Sequence, residues 1–230
     1  MFADFDFDVI VRSLPYLFFH GMAFTLTLTG LSLAGSLVLG TLVALMQLSS
    51  IRALSLLAMG YVNLMRALPL VLIIFWFYFL LPWIGQWVTG ASRPIQVGAF
   101  TSALVTFTLF EAAYFAEIMR AGIQSIPKGQ IAASQALGMT YWQTMGHVVL
   151  PQAFRAMIPL ILTQTIILFQ DTSLVYVLSI PDFLGAASKV AQRDGRLVEM
   201  YLFAAAVYFI ISFAASTYVR HLQMRIAVVR

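Results

Sequence analysis

The chain has 230 residues, of which 61% are hydrophobic and only 10% are charged, and its mean hydropathy is +0.92. Soluble domains carry roughly 25% charged residues, so this composition excludes a soluble globular protein and predicts an all-α integral membrane protein. A formal net charge of +4, dispersed along the chain, does not favour nucleic-acid binding, and the absence of cysteine excludes disulfides and thiolate chemistry.

Five apolar segments are long enough to cross a membrane as helices, which takes about 20 residues each. We expect them at about residues 21–48, 54–81, 97–119, 156–180 and 200–219, within one transmembrane domain that covers residues 1–230. The chain starts with the acidic stretch MFADFDFDVI. A cleavable signal peptide starts with basic residues, so none is predicted.

Five crossings place the two termini on opposite sides of the membrane. With the N-terminus outside, seven basic residues lie on the cytoplasmic side and five lie outside, and the positive-inside rule favours this orientation. The inner set is Arg52, Arg120, Lys128, Arg155, Arg220, Arg225 and Arg230, and the outer set is Arg12, Arg93, Lys189, Arg193 and Arg196.

The first segment carries small residues at steps of four, which places them on one helix face. Such a face lets two helix backbones approach closely, either within the chain or at a subunit interface. The four residues are Ser32, Ser36, Gly40 and Ala44.

Ionisable side chains inside three of the segments are functional candidates, because charges at membrane depth are costly. Arg66 lies about 12 residues into the second segment, roughly 18 Å along the helix. It could attract a substrate carboxylate, or it could pair with Glu117 or Asp171, or extend to the interface. Glu111 and Asp171 are candidates for lining a polar path. Asp171 could equally hold neighbouring helices together.

Two further charges in the third segment are spaced to pair with each other. Glu117 and Arg120 are three residues apart, so they share a helix face. This spacing predicts a structural ion pair at the membrane edge.

Residues 121–155 form a polar connection between the third and fourth segments. Helix-forming residues such as Ala132 and Ala133 predict a first short helix, and Gly138 can end it in a left-handed turn. Thr140 can cap a second helix that starts near Tyr141. Pro151 is predicted to end that second helix, because the residue before proline avoids helical geometry.

This loop resembles the coupling loop of binding-protein-dependent ATP-binding-cassette importers, in which Glu-Ala-Ala precedes a glycine and Ile-x-Leu-Pro follows. Here Ala132-Ala133-Ser134 stands for the opening triad, Gly138 is the glycine, and Leu150-Pro151 closes the pattern. The glutamate is replaced by Ala132, which removes the basis for a salt bridge from that position to an ATPase. A literal Glu111-Ala112-Ala113 does not fit, because the glycine does not follow at the expected spacing.

Four segments resemble signatures of the polar amino-acid permeases, the family that imports histidine, glutamate, glutamine, arginine and opines. The glutamate/aspartate branch is the most similar, through FEAAYFAEIMRAGIQSIPKGQ and LFQDTSLVYVLS. The four segments are Arg66–Leu70, Ala116–Ile123, Leu150–Arg155 and Phe169–Leu174.

The resemblance implies the fold of a type I importer permease and a role in amino-acid import. Its implied partners are two ATPase subunits, a second permease chain that is homologous or identical, a periplasmic solute-binding protein and the inner-membrane bilayer. It also implies which residues take part. Those that contact the ATPase are Ala132, Ala133, Ser134, Gly138, Leu150 and Pro151. The candidates along the substrate path rest instead on their polar character at membrane depth, and they are Arg66, Glu111, Gln170 and Asp171.

The chain lacks the motifs of an enzyme. No phosphate-binding loop of the G-x-x-x-x-G-K-[ST] type occurs, and the three histidines are too far apart in sequence to suggest a metal site. We therefore expect no cofactor on this chain, with ATP and Mg²⁺ bound by partner ATPases. Two other functions remain open: an ion-coupled secondary transporter, which would need ion sites and usually internal repeats, and a membrane assembly factor without transport activity.

Overall fold

A computed structural model describes residues 5–226, so the predicted inner charge Arg230 lies outside the described residues. The described part is helical, and five of its helices are long and apolar enough to span a membrane, which confirms the predicted fold class. The α-helices are α1 Phe7–Tyr16, α2 Ala23–Gln47, α3 Arg52–Ala67, α4 Leu70–Thr89, α5 Ala99–Gln124, α6 Lys128–Ala136, α7 Tyr141–Thr144, α8 Leu150–Asp171, α9 Phe183–Asp194 and α10 Leu197–Ile226.

The first spanning helix is longer than the predicted segment 21–48. A π-helical turn, Leu17–Met22, joins α1 to α2 in one helix of 41 residues, Phe7–Gln47. Asp6 starts this helix by accepting hydrogen bonds from the backbone N–H groups of Asp8 and Val9. Helix α1 lies outside the predicted apolar segment because it contains charged residues. Those charges are compatible with a helix that extends beyond the bilayer.

The predicted span 54–81 is wrong as a single helix, because it is broken at Leu68 and Pro69. Leu68 is extended, with φ −100° and ψ 143°, and Pro69 precedes the first residue of α4. A residue before proline avoids helical angles, so the break follows from the Leu68-Pro69 sequence. Arg66 consequently lies in the last turn of α3 rather than in the middle of a helix.

Helices α2 and α5 form the most closely packed part of the structure. The predicted small-residue face of α2 lies against α5, with Ser32, Ser36 and Ala44 buried. A Cβ atom added at Gly40 would lie 2.9 Å from the Cβ of Phe115 and 3.0 Å from the backbone oxygen of Ala112. The small residues therefore serve packing within the chain, which was one of the two predicted alternatives.

The fourth spanning helix is continuous from Tyr141 to Leu178, so the prediction that Pro151 ends a helix is wrong. A π-helical turn, Met145–Val149, joins α7 to α8 immediately before Pro151, and the Leu150 N–H donates to the Met145 oxygen five residues earlier. The regular α-helical ladder, to which proline cannot donate, is therefore already interrupted at this point. The helix finishes as a 3₁₀ helix, Thr172–Leu178, followed by Ser179 with a φ of +59°.

Helix α9 was not predicted, because its 12 residues are too short and too mixed to suggest a span. It packs on the π-helical turn Leu17–Met22 and on α10, at the end of the molecule that holds α1. Asp182 is fully buried and accepts hydrogen bonds from the backbone N–H groups of Leu184 and Gly185. Burial raises the pKa of Asp182 to about 7.

Candidate functional site

The loop between α5 and α8 has the glycine turn and the helix cap expected from the sequence. Gly138 has a φ of +79° and follows the end of α6. The Gln143 backbone N–H donates to the Thr140 hydroxyl at 3.4 Å, and the Thr140 N–H donates to the Gln143 side chain at 2.8 Å. This reciprocal capping box fixes the start of α7.

A buried hydrogen bond joins the two short helices of the loop. The Ser134 hydroxyl lies 3.0 Å from the Thr144 hydroxyl, and both side chains are buried. The Ser134 backbone oxygen also accepts from the Met139 N–H, across the Gly138 turn. Ser134 therefore supports the loop from inside, whereas Ala132, Ala133, Gly138 and Pro151 are exposed and Leu150 is partly buried.

Three large apolar side chains around the Gly138 turn are exposed, and the sequence analysis did not single them out. They are Leu137, Tyr141 and Trp142. The sequence does indicate them, because large apolar residues are unusual in a polar connection between two spans.

A cavity of about 260 Å³ lies between α3, α5 and α8. Its wall combines the apolar Ile118 and Leu160 with five polar side chains, which are Arg66, Tyr114, Glu117, Thr163 and Gln164. The Arg66 guanidinium carbon lies 5.6 Å from the centre of the Tyr114 ring, a cation–π arrangement that leaves its N–H groups able to bind an anion. The cavity thus presents a cation, the partner that a carboxylate ligand needs.

Glu117 pairs with Arg120, as the spacing predicted, and Arg120 also donates to Gln124. In the described part of the chain, Arg66 has no carboxylate oxygen within 4.0 Å, so the predicted alternatives in which it pairs with Glu117 or Asp171 are not observed. Glu117 is therefore both half of an ion pair and part of the cavity wall.

Of the other predicted path residues, one is bonded to the cavity wall and two lie outside it. Glu111 is fully buried, and its side chain accepts a hydrogen bond of 3.0 Å from Gln164, which joins it to the cavity wall. Asp171 is partly buried, Gln170 is exposed, and neither lines the cavity.

Three polar wall residues were missed by sequence reasoning: Tyr114, Thr163 and Gln164. A signal existed, because Tyr114 is three residues from both Glu111 and Glu117. Similarly, Gln164 is seven residues, or two helical turns, before Asp171. Within the described residues, no group of His, Asp and Glu side chains is arranged to hold a metal ion.

Residues 36–228 match the family described as the binding-protein-dependent transport system inner membrane component. The chain belongs to this family. It is therefore a membrane component of a binding-protein-dependent transport system, which argues against the ion-coupled transporter and the assembly factor left open by the sequence.

Individual relatives agree with this assignment. The permease is 51% identical to the glutamate/aspartate import permease protein GltK of Escherichia coli O6:H1, over 97% of this chain and 99% of that protein. It is 31% identical to a chain in the crystal structure of an amino acid ABC transporter with histidines, with a TM-score of 0.84 and coverage of 96% and 98%. The inward-facing MetNI methionine ABC transporter shares the fold, at 22% identity, a TM-score of 0.63 and coverage of 94% and 97%.

Proposed function

We propose that this permease carries glutamate or aspartate across the bacterial cytoplasmic membrane by ATP-driven alternating access. Residues 1–230 act as one transmembrane domain that pairs with a homologous or identical permease chain, two ATPase subunits and a periplasmic binding protein. ATP and Mg²⁺ are bound and hydrolysed on the ATPase subunits. The observation that carries this proposal is the 51% identity to a glutamate/aspartate import permease over 97% of the chain.

The loop between α5 and α8 is proposed as the contact to the ATPase. It is compact and internally hydrogen-bonded, and it is exposed at Ala132, Ala133, Gly138 and Pro151. Ser134 and Leu150 hold it in place. A rigid loop of this kind can transmit the movement of a bound ATPase to α8, because α7 of the loop and α8 belong to one continuous helix.

The cavity between α3, α5 and α8 is proposed as part of the substrate path. An acidic amino acid has two carboxylates and one ammonium group, so a path through low dielectric needs a positive partner. Arg66 supplies that partner, while Glu111, Gln170 and Asp171 supply polar groups along the same route. The ion pair of Glu117 with Arg120 borders it.

A direct test is uptake of labelled glutamate into vesicles that contain the assembled transporter and its binding protein. We expect uptake to require ATP on the side of the membrane where the ATPase subunits lie, and to stop when ATP is left out. Uptake driven by an ion gradient without ATP would instead favour the secondary-transporter function. No uptake of any amino acid under either condition would contradict transport altogether.

A second test concerns orientation, with the N-terminus periplasmic and the C-terminus cytoplasmic. Ser125 and Ser92 are exposed serines in loops that five crossings place on opposite sides, and the chain has no cysteine. In intact spheroplasts, an impermeant thiol reagent should label Ser92→Cys and spare Ser125→Cys, and lysis should expose both. The reverse pattern would overturn the orientation and the ATPase contact together.

A third test concerns Arg66 as the positive partner. Arg66→Lys keeps the charge but loses the planar guanidinium, so uptake should fall by a few-fold, whereas Arg66→Gln should fall at least tenfold. Arg93→Gln, which removes an exposed arginine from the α4–α5 connection, is the matched control. The informative variant still assembles and hydrolyses ATP. Normal uptake by Arg66→Gln would remove Arg66 from the path.

A further inference from the structure

The loop at the proposed ATPase contact is uncharged. Residues 129–154 contain no Asp, Glu, Lys or Arg, between Lys128 on one side and Arg155 on the other. The opening glutamate of the family pattern is also absent, because Ala132 occupies its place. Any partner that binds this loop therefore cannot rely on ion pairs with these residues.

Much of the polar chemistry of the loop is already used internally. The Ser134 and Thr144 hydroxyls bond to each other, and Thr140 and Gln143 form the capping box. Alongside polar side chains such as Gln135 and His147, three large apolar side chains face outward: the exposed fractions are 83% for Leu137, 63% for Tyr141 and 81% for Trp142. We call these three residues the aromatic edge.

Two kinds of surface could cover an exposed edge of this type, a lipid headgroup layer or another protein. Helices that lie on membranes are rich in Lys and Arg on their polar face, and this loop has none of either between its flanks. Protein interfaces concentrate their binding energy in Trp and Tyr side chains at uncharged centres. The edge is also held ready by the Gly138 turn and the cap, which lowers the entropy lost on binding. These features favour a protein.

We propose that the aromatic edge is the anchor of this permease in an apolar pocket of its ATPase subunit, in place of an ionic contact at position 132. This inference rests on the proposed function. Trp142 is the central residue of the anchor, and Leu137 and Tyr141 exclude water around it. The attachment is therefore expected to resist salt, unlike an attachment held by exposed ion pairs.

The test is the affinity of the purified permease for the ATPase subunit in detergent. Trp142→Ala should weaken attachment at least tenfold, and Trp142→Phe should lose less because it keeps an aromatic ring. Trp87→Ala is the matched control, because Trp87 is 85% exposed but lies at the far end of α4. Leu137→Ser is a second variant at an exposed site, so that the result does not depend on one substitution.

Salt separates an apolar anchor from an ionic one. Between about 0.1 M and about 1 M NaCl, exposed charge pairs are strongly screened, and wild-type attachment should change less than about twofold. A much larger loss of affinity in salt would overturn the proposal. Normal attachment of Trp142→Ala would also overturn it, while leaving the proposed function intact if Gly138→Val still detaches the ATPase. Failure of the wild-type chain to bind any ATPase would contradict the proposed function instead.

The lipid alternative has its own readout. In a variant whose other tryptophans, Trp76, Trp83 and Trp87, are replaced by Phe, brominated lipids should quench Trp142 less in the assembled transporter than in the isolated permease. Strong quenching of Trp142 that persists in the assembled transporter would place the edge on the membrane and overturn the proposal.

Discussion

The contact between α2 and α5 and the loop around Gly138 each depend on a glycine, but for opposite reasons. Gly40 has ordinary helical geometry and no room, because an added Cβ would meet the Cβ of Phe115 and the backbone of α5. Gly138 has open space around it and a φ of +79°, which side chains other than glycine rarely adopt. One position is restricted by its neighbours and the other by its own backbone.

The difference follows from what each region has to do. Helices α2 and α5 must pack against each other within the chain, so specificity there comes from the shape of facing surfaces. Under the proposed function, the loop must keep its shape while its outer surface stays free for the ATPase. It does so with backbone angles, a capping box and one buried hydrogen bond, which leave Leu137, Tyr141 and Trp142 exposed.

The largest expected effect is at Gly40. Gly40→Ala places a methyl group 2.9 Å from the Phe115 Cβ and 3.0 Å from the Ala112 backbone oxygen, so α2 and α5 must separate. Overpacking of this kind costs about 1–3 kcal/mol, and we expect a lower melting temperature in detergent and a lower yield of folded protein.

Gly30→Ala is the matched control in the same helix, because no atom lies within 4 Å of the Cβ it would add. It should leave the melting temperature unchanged or raise it slightly. Equal destabilisation by both substitutions would mean that glycine is needed in α2 for flexibility rather than for close packing.

Sequence reasoning succeeded in this molecule where the structure is decided by neighbouring residues and no other local preference opposes them. The left-handed Gly138, the Thr140 cap and the pairing of Glu117 with Arg120 each depend on residues within a few positions of one another. The number of apolar segments likewise gives the number of spans, because the bilayer sets their length, although the second span begins only after the break at Leu68. These features needed no knowledge of the rest of the fold.

The failures came where two local rules competed or where distant residues meet. Proline broke the helix at Leu68 but not at Leu150, because a π-helical turn before Pro151 has already changed the hydrogen-bond spacing there. Helix α9 carries local signals, the Asp182 cap at its start and the left-handed Gly195 at its end, but a search for spans of about 20 residues does not find it. The cavity between α3, α5 and α8 likewise has Arg66 and Gln164 in one wall, and these residues are remote in sequence.

A smaller effect is expected at Gly138. Gly138→Val forces a β-branched residue into the left-handed region, at about 1–2 kcal/mol, so the turn should shift and attachment of the ATPase should weaken. Glutamate uptake should fall further than ATP hydrolysis, because the loop links the two. The measurement is the ratio of uptake to ATP consumed in vesicles.

Two comparisons isolate the backbone angle. Gly138→Asn should be milder, since asparagine tolerates the left-handed region. Gly129→Val adds the same side chain to α6, at an exposed glycine with no positive φ and open space around it, and should have little effect. Loss of attachment in Gly129→Val as well would show that added bulk, rather than the backbone angle, disturbs the contact.

The smallest expected effect is at Ser134, which tests whether the loop behaves as one rigid unit. Ser134→Ala removes the bond to Thr144, and the Thr144 hydroxyl can turn to a carbonyl one helical turn earlier, so the cost should be about 1 kcal/mol. Attachment of the ATPase should fall by a few-fold, because α6 and α7 then move separately. In Ser134→Ala/Thr144→Val, both hydroxyls are gone and no buried group is left unpaired, so the double variant should lose less than the sum of the two single changes. Strictly additive losses would mean that the two residues act independently, and that the loop is held by the Gly138 turn and the cap alone.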